Sequence, residues 1–201
     1  MNRVVIFDVG NVLIGWDVHR LYRRYLPDAA AIAAFLEEVD FFAWNLEQDR
    51  GRPFAEGVAD LIARHPDRAD LIRAYDTDWM HSITGPVAGT VALRQRLIEA
   101  GVPLYGLTNF SAEKWALTRE RFEFLRTGFE DVVVSGVEGL IKPDPAIYRL
   151  LAARNGLAPE DCVFVDDSPA NVAGARAVGM QAIRFTDPGA LEQALRDHGC
   201  L

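Results

Sequence analysis

Five short apolar runs limit what this chain can fold into: Val4 to Phe7, Pro103 to Leu107, Val132 to Val134, Cys162 to Val165 and Gln181 to Phe185. Each is too short for a globular helix. Together they read as strands buried on both faces, the pattern of a parallel sheet. From Val87 onward the runs alternate with helical patterns, which predicts βαβ units in an α/β, doubly wound Rossmann-like fold. Helix starts are marked as well. Ser111 is placed to cap a helix from Ala112 to Phe122, and Asp144-Pro145 and Ser168-Pro169 each set a capping side chain before a proline suited to the first helical position.

The first strand breaks the alternation. Roughly seventy residues, from about Gly15 to Gly85, separate it from the next βα unit, and they hold no convincing strand. They predict four or five helices, beginning at Asp17, Asp28, Val39, Pro53 and Asp67, with breaks at Pro27, Gly51-Arg52-Pro53 and His65-Pro66. Residues 1–14 and 86–201 then form the core, and 15–85 an all-helical insertion. Open α/β sheets bind ligands at the carboxyl ends of their strands. An insertion that leaves from that edge is placed to act as a lid.

Strand one runs into Asp8, strand two into Thr108-Asn109, and strand four into Asp166-Asp167. Strand three leads through Ser135-Gly136 to Lys142, just before the helix start at Asp144-Pro145. In a parallel sheet these ends share one edge, so residues distant in sequence converge. Three carboxylates at contact distance repel one another, and a proton or a cation must compensate. Hard carboxylate oxygens suit Mg²⁺, which commonly bridges to a substrate phosphate. A lysine suits a phosphoryl group as a point charge. The sharpest reading is phosphoryl transfer, with one carboxylate as nucleophile and the others holding metal.

Composition narrows the setting. The 201 residues fit one domain with a modest insertion, and half of them are hydrophobic, enough for a core. No apolar run approaches the roughly 18 residues of a membrane helix, and MNRVVIFD has no signal-peptide pattern, so a cytoplasmic protein with no membrane partner is expected. Cys162 and Cys200 make neither a disulfide framework nor a metal spacing. The formal charge of -8 argues against nucleic-acid binding. It also repels phosphate esters, so a bound cation and a few placed basic residues must reverse the field locally. Monomer and homodimer both remain open.

FDVGNVL, LTNFS, GLIKPDP and FVDDSPANV, in that order, resemble the four motifs of the haloacid dehalogenase superfamily, and the helical insertion resembles that family's cap. The opening D-x-G-N-V is similar to that of sugar-phosphate phosphatases of the glucose-1-phosphatase type. The resemblance implies a phosphoric monoester hydrolase that works through an aspartyl-phosphate, with Mg²⁺ as cofactor and a small-molecule phosphate ester as substrate. It implies Asp8 as nucleophile and metal ligand, and Gly10 as a metal ligand through its carbonyl. Thr108 and Asn109 would bind the phosphoryl group and Lys142 would neutralise its charge. Asp167 would ligate the metal directly, Asp166 directly or through water.

Gly10 departs from the family's commonest pattern, in which an aspartate two residues after the nucleophile is general acid and then base. Asn11 cannot replace it, and Asp17 is placed to cap a helix. The expected substrate therefore has a comparatively acidic leaving group, such as the anomeric oxygen of a sugar 1-phosphate. Two rivals follow. Hydrolytic dehalogenation of 2-haloacids needs no metal and predicts a serine-rich, aspartate-poor stretch where this chain has Asp166-Asp167-Ser168. A binding protein that has lost turnover is consistent with Gly10. Of the remaining residues, Trp44, Trp79 and Trp115 read as packing, and the histidines as structural. Arg20, Arg23 and Arg24 read as a solvated face. Asn171 either supports the acidic pair or faces solvent, and Glu47, Arg50 and Arg52 are candidates to reach substrate from the insertion.

Overall fold

The computed structural model describes residues 3–201. Its strands, in chain order, are β1 (Val4–Phe7), β2 (Ile14–Trp16), β3 (Ile83–Pro86), β4 (Leu104–Thr108), β5 (Asp131–Val134), β6 (Cys162–Asp166) and β7 (Gln181–Arg184). Five of them form one parallel sheet in the order β5-β4-β1-β6-β7. These are the five apolar runs, each within a residue of its expected ends. β1, β4 and β6 are buried along their whole length. Their alternate residues feed two cores. Val5, Phe7, Val163 and Val165 pack on one face, while Ile6, Leu107 and Phe164 meet Ile147 and Leu151 on the other. Burying one such side chain contributes about 1.5–3 kcal/mol, which explains why these strands carry no polar alternation.

The chain steps outward from β1 to β4 and β5, then returns to the other side of β1 as β6. Strand order thus reverses between β1 and β6, the place where open α/β sheets leave a crevice at the carboxyl edge. Asp8 follows β1 and Asp166 ends β6, and the register pairs Phe7 with Val165 directly before them.

Between β2 and β3 the chain forms helices at Val18–Tyr22, Ala29–Glu38, Phe41–Asp49, Phe54–Arg64 and Ala69–Thr77. Asp17 and Asp28 cap the first two by accepting from His19 N and Ala31 N. The start expected at Val39 falls at Phe41, after Asp40 in a left-handed conformation, and the one expected at Asp67 is a short 3-10 turn leading into Ala69. The expectation of no strand in the insertion is corrected. β2 and β3 pair antiparallel at its root, Ile14 with Pro86 and Gly15 with Gly85. Ile-Gly-Trp and Ile-Thr-Gly-Pro are too short and too rich in glycine and proline to read as strands.

The insertion lies down on the core along the helix Ala112–Arg121. Phe54 N–H donates to both oxygens of Glu113 at 3.2 Å, and Trp79 Nε1 donates to Thr118 Oγ1 at 3.3 Å. Lys114 Nζ donates to the Asp76 carbonyl at 2.8 Å and sits 4.3 Å over the Phe54 ring. Phe54, Tyr75, Trp79, Phe110 and Trp115 form a chain of ring contacts, centroids 5.3–6.0 Å apart, that crosses from insertion to core. Trp44, Trp79 and Trp115 are all buried in this packing. Among the described residues, no helix is long and apolar enough to cross a membrane.

One glycine fixes how closely the short helix Ser135–Glu138 after β5 approaches the loop after β4. A Cβ on Gly136 would lie 2.7 Å from Ala112 N and Phe110 O, both backbone atoms that cannot rotate away. Gly136→Ala is expected to lower unfolding free energy by about 1–3 kcal/mol in a urea titration, and unchanged stability would contradict this packing.

Candidate active site

Asp8 is 7% exposed, and its backbone N–H is anchored to the Val165 carbonyl at 2.9 Å. Its Oδ1 accepts from Val9 N at 2.7 Å and lies 2.9 Å from Lys142 Nζ. Oδ2 has no protein donor among the described residues. Asp166, fully buried, meets Lys142 Nζ through Oδ2 at 2.7 Å, accepts from Ser168 N at 2.8 Å, and takes Asn171 Nδ2 on both oxygens at 3.0 and 3.1 Å. Asn171 thus supports the acidic pair. Ser168, expected to cap the helix Pro169–Ala177 with its side chain, makes no such bond. Its contribution is the backbone N–H on Asp166.

Lys142 is 2% exposed. Burial works to lower its pKa, but Asp8 and Asp166 together carry it above the ordinary lysine value, so it stays a cation. Asp8 is held above the usual carboxylate range, chiefly by burial, with Lys142 pulling down and Asp166 pushing up. Asp167 is raised for the same first reason and by Asp166. One ammonium therefore faces three carboxylates. Asp8, Asp166 and Asp167 each offer an oxygen within 4.8 Å of the others, an all-oxygen set that suits a hard divalent cation. Gly10 and Asn11 line the same cavity as Asp8 and Asp167.

Thr108 is fully buried, and its Oγ1 has no hydrogen-bond partner among the described residues. Thr108 is not among the residues that line the cavity, and its hydroxyl is the one buried polar group at these strand ends left unmatched by the protein among the described residues. Asn109 lines the cavity. Both ends of its side-chain amide are engaged by the Lys142 backbone, Nδ2 on the carbonyl at 3.0 Å and Oδ1 from the N–H at 2.9 Å. Its side chain acts on the site by positioning Lys142.

The cavity above these residues measures about 180 Å³ and is lined by Asp8, Gly10, Asn11, Asn109, Phe110 and Asp167 from the core. The insertion adds Trp16, Asn45, Asp49 and Trp79. Glu47, Arg50 and Arg52 do not line it. Arg50 pairs with Glu47 on the surface at 3.2 Å, and Arg52 turns to Gln48 Oε1 at 2.6 Å. The helix Phe41–Asp49 instead presents Asn45 and Asp49, one turn apart. That i, i+4 spacing was the available signal, obscured by the more conspicuous charges around it.

A haloacid dehalogenase-like hydrolase family model matches residues 2–179. The chain is 32% identical to a sesquiterpene phosphatase of Aspergillus oryzae over 96% of this chain and 95% of that protein. It is 28% identical to acyl-CoA dehydrogenase family member 10 of Mus musculus over 92% of this chain, but spans only 18% of that protein's length. A HAD family enzyme of Bacteroides thetaiotaomicron, solved with magnesium and inorganic phosphate, superposes with a TM-score of 0.76 at 22% identity, covering 93% of this chain and 96% of the other. That likeness speaks to the fold. The chain belongs to the haloacid dehalogenase-like hydrolases.

Lys142 supplies a direct test of the charge balance. A carboxylate whose folded-state pKa exceeds its unfolded value, as for Asp8 and Asp167, binds its proton more tightly when folded, so its contribution to stability falls as pH rises from the unfolded value through the folded one. Removing the cation raises these carboxylates further. Lys142→Met is expected to cost about 3–5 kcal/mol near neutral pH, measured by urea unfolding, with the deficit shrinking on acidification. A deficit independent of pH would show that Lys142 matters only by packing.

Proposed function

We propose, from membership of this hydrolase family, that the chain is a Mg²⁺-dependent phosphatase that cleaves a small phosphorylated metabolite, preferentially a sugar phosphate, through an aspartyl-phosphate on Asp8. The observation that carries the reading is the group of three strand-end carboxylates balanced by one buried lysine. Asp8, Asp167 and the Gly10 carbonyl would hold the metal, with Asp166 behind them. Mg²⁺, when bound, supplies the missing positive charge and orients the phosphoryl oxygens.

The residues divide the work. Asp8 attacks phosphorus through Oδ2, the oxygen that Val9 N and Lys142 leave free. Lys142 Nζ offsets charge on the phosphoryl oxygens as the new P–O bond forms and the ester P–O bond breaks to release the alcohol, and Thr108 Oγ1 donates its otherwise unmatched hydrogen bond to one of those oxygens. Water then attacks the phosphorus of the aspartyl-phosphate, which releases inorganic phosphate and returns Asp8 as a carboxylate. Residues 15–85 serve as the cap, and a cavity of about 180 Å³ under it suits a small ester better than a polymer. The sugar preference rests on the D-x-G-N-V opening shared with glucose-1-phosphatase-type enzymes. Dehalogenation is disfavoured by the same three carboxylates, because an excess of buried negative charge gives a metal-free reaction nothing.

Asp8→Asn is expected to abolish hydrolysis of p-nitrophenyl phosphate while the melting midpoint stays within a few degrees of wild type. EDTA should silence the wild type and Mg²⁺ restore it. Full activity in chelator would overturn the metal-dependent reading, and turnover of a phosphopeptide faster than of any small ester would overturn the substrate class.

A further inference from the structure

The cavity has a floor and a roof of different character. Acidic residues of the sheet edge form the floor, where Asp8 is placed to attack. In-line displacement puts the leaving oxygen opposite the attacking one, so the leaving group faces the roof. Gly10 contributes no side chain there, and a Cβ at that position would meet nothing within 4 Å. The roof residues from the insertion are Trp16, Asn45, Asp49 and Trp79. Indoles and an amide do not give up a proton at neutral pH. Asp49 is the one roof residue that can.

Asp49 is also held in place. Asn45 Nδ2 donates to its Oδ2 at 3.1 Å, and the Tyr75 hydroxyl fixes the Asn45 amide by donating to Oδ1 at 2.9 Å. A carboxylate on the insertion is thus held at the wall of the cavity that also contains Asp8. Burial pushes its pKa up to about 7, against the downward pull of Ser111 and Lys142, the range in which a general acid works best at neutral pH.

We propose that Asp49 is the general acid and base of this enzyme, supplied by the insertion in place of the side chain that Gly10 lacks. The inference rests on the phosphatase reading above. As the Asp8–phosphorus bond forms and the ester P–O bond breaks, the Asp49 carboxyl gives its proton to the departing oxygen, which leaves as an alcohol. Asp49, now a carboxylate, takes a proton from the water that attacks the aspartyl-phosphate, and phosphate departs with the acid regenerated. Because Asp49 lies on the insertion, only an enzyme with the insertion docked has its acid, which couples closure to chemistry. Alcohols of high pKa become accessible substrates, and an acidic leaving group is no longer required.

The test measures kcat/KM with Mg²⁺ over a panel of aryl, sugar 1- and primary alkyl phosphates for wild type, Asp49→Asn and the Asp49→Asn/Gly10→Asp double variant. A positioned general acid contributes about 10²–10⁴-fold. Asp49→Asn should lose a factor of that order on primary alkyl phosphates and at least about tenfold less on p-nitrophenyl phosphate, whose leaving group needs no proton. The double variant should recover part of the alkyl rate. Equal losses across the panel, no loss, or a wild type that hydrolyses only aryl esters overturns the assignment and leaves the phosphatase reading standing. A wild type inert toward every ester overturns both. NMR titration of the Asp49 carboxyl in the metal-free protein reads the same claim without turnover. The carboxyl shares its cavity with Asp8 and Asp167 and feels the charges of Lys142 and Tyr75, and titration near neutrality supports the role, whereas titration in the ordinary carboxylate range overturns it.

Discussion

Lys142 Nζ sits 2.9 Å from Asp8 and 2.7 Å from Asp166, fully enclosed, and the rest of the site is arranged around that ammonium. The carboxylates come from adjacent strands, so the lysine ties the ends of β1 and β6 together where strand order reverses. Its own position is set from the third strand end, because Asn109 grips its backbone on both sides. Asn171 and Ser168 N satisfy Asp166, so that residue acts as a rigid counter-charge. Desolvating two charges is costly unless geometry and additional hydrogen bonds are good, and here each partner has them. What remains uncompensated is the charge on Asp8 and Asp167, and in the proposed mechanism that residue of charge is what a divalent metal and a phosphoryl group use.

The insertion completes the site from above. Its aromatic residues continue the core through Trp79 and Phe110, so it docks by the same apolar burial that builds the sheet. Docking places indoles and Asp49 around the cavity. Fold and proposed chemistry meet there, since the roof that docking builds carries the inferred proton donor.

Much of this was legible in the residues. Runs such as VVIF and CVFV admit only a doubly buried strand, and a parallel sheet then forces Asp8, Thr108 and Asp166 to one edge. Helix starts at Asp17, Asp28, Ser111 and Asp144 were equally plain, because each is a short acceptor set before a helix and caps it, whereas Ser168, read the same way, gives Asp166 its backbone N–H and makes no side-chain cap. The misses share a cause: they depend on partners distant in sequence. β2 and β3 are strands only because they find each other across the insertion. The grip of Asn109 on Lys142 exists only once the Lys142 loop arrives to use both ends of its amide. Asp49 looks like one more surface charge near Glu47 and Arg50, and only docking of its helix turns it inward.

The central claim is that Asp8 becomes covalently phosphorylated. Its most direct test is acid quenching of the enzyme during steady turnover of a small phosphate ester with Mg²⁺, followed by peptide mass spectrometry, with hydroxylamine trapping in parallel. The account expects a phosphoryl group on the peptide that contains Asp8, and its conversion to the hydroxamate at that residue. Continued turnover with neither phosphoryl nor hydroxamate at Asp8 would contradict it.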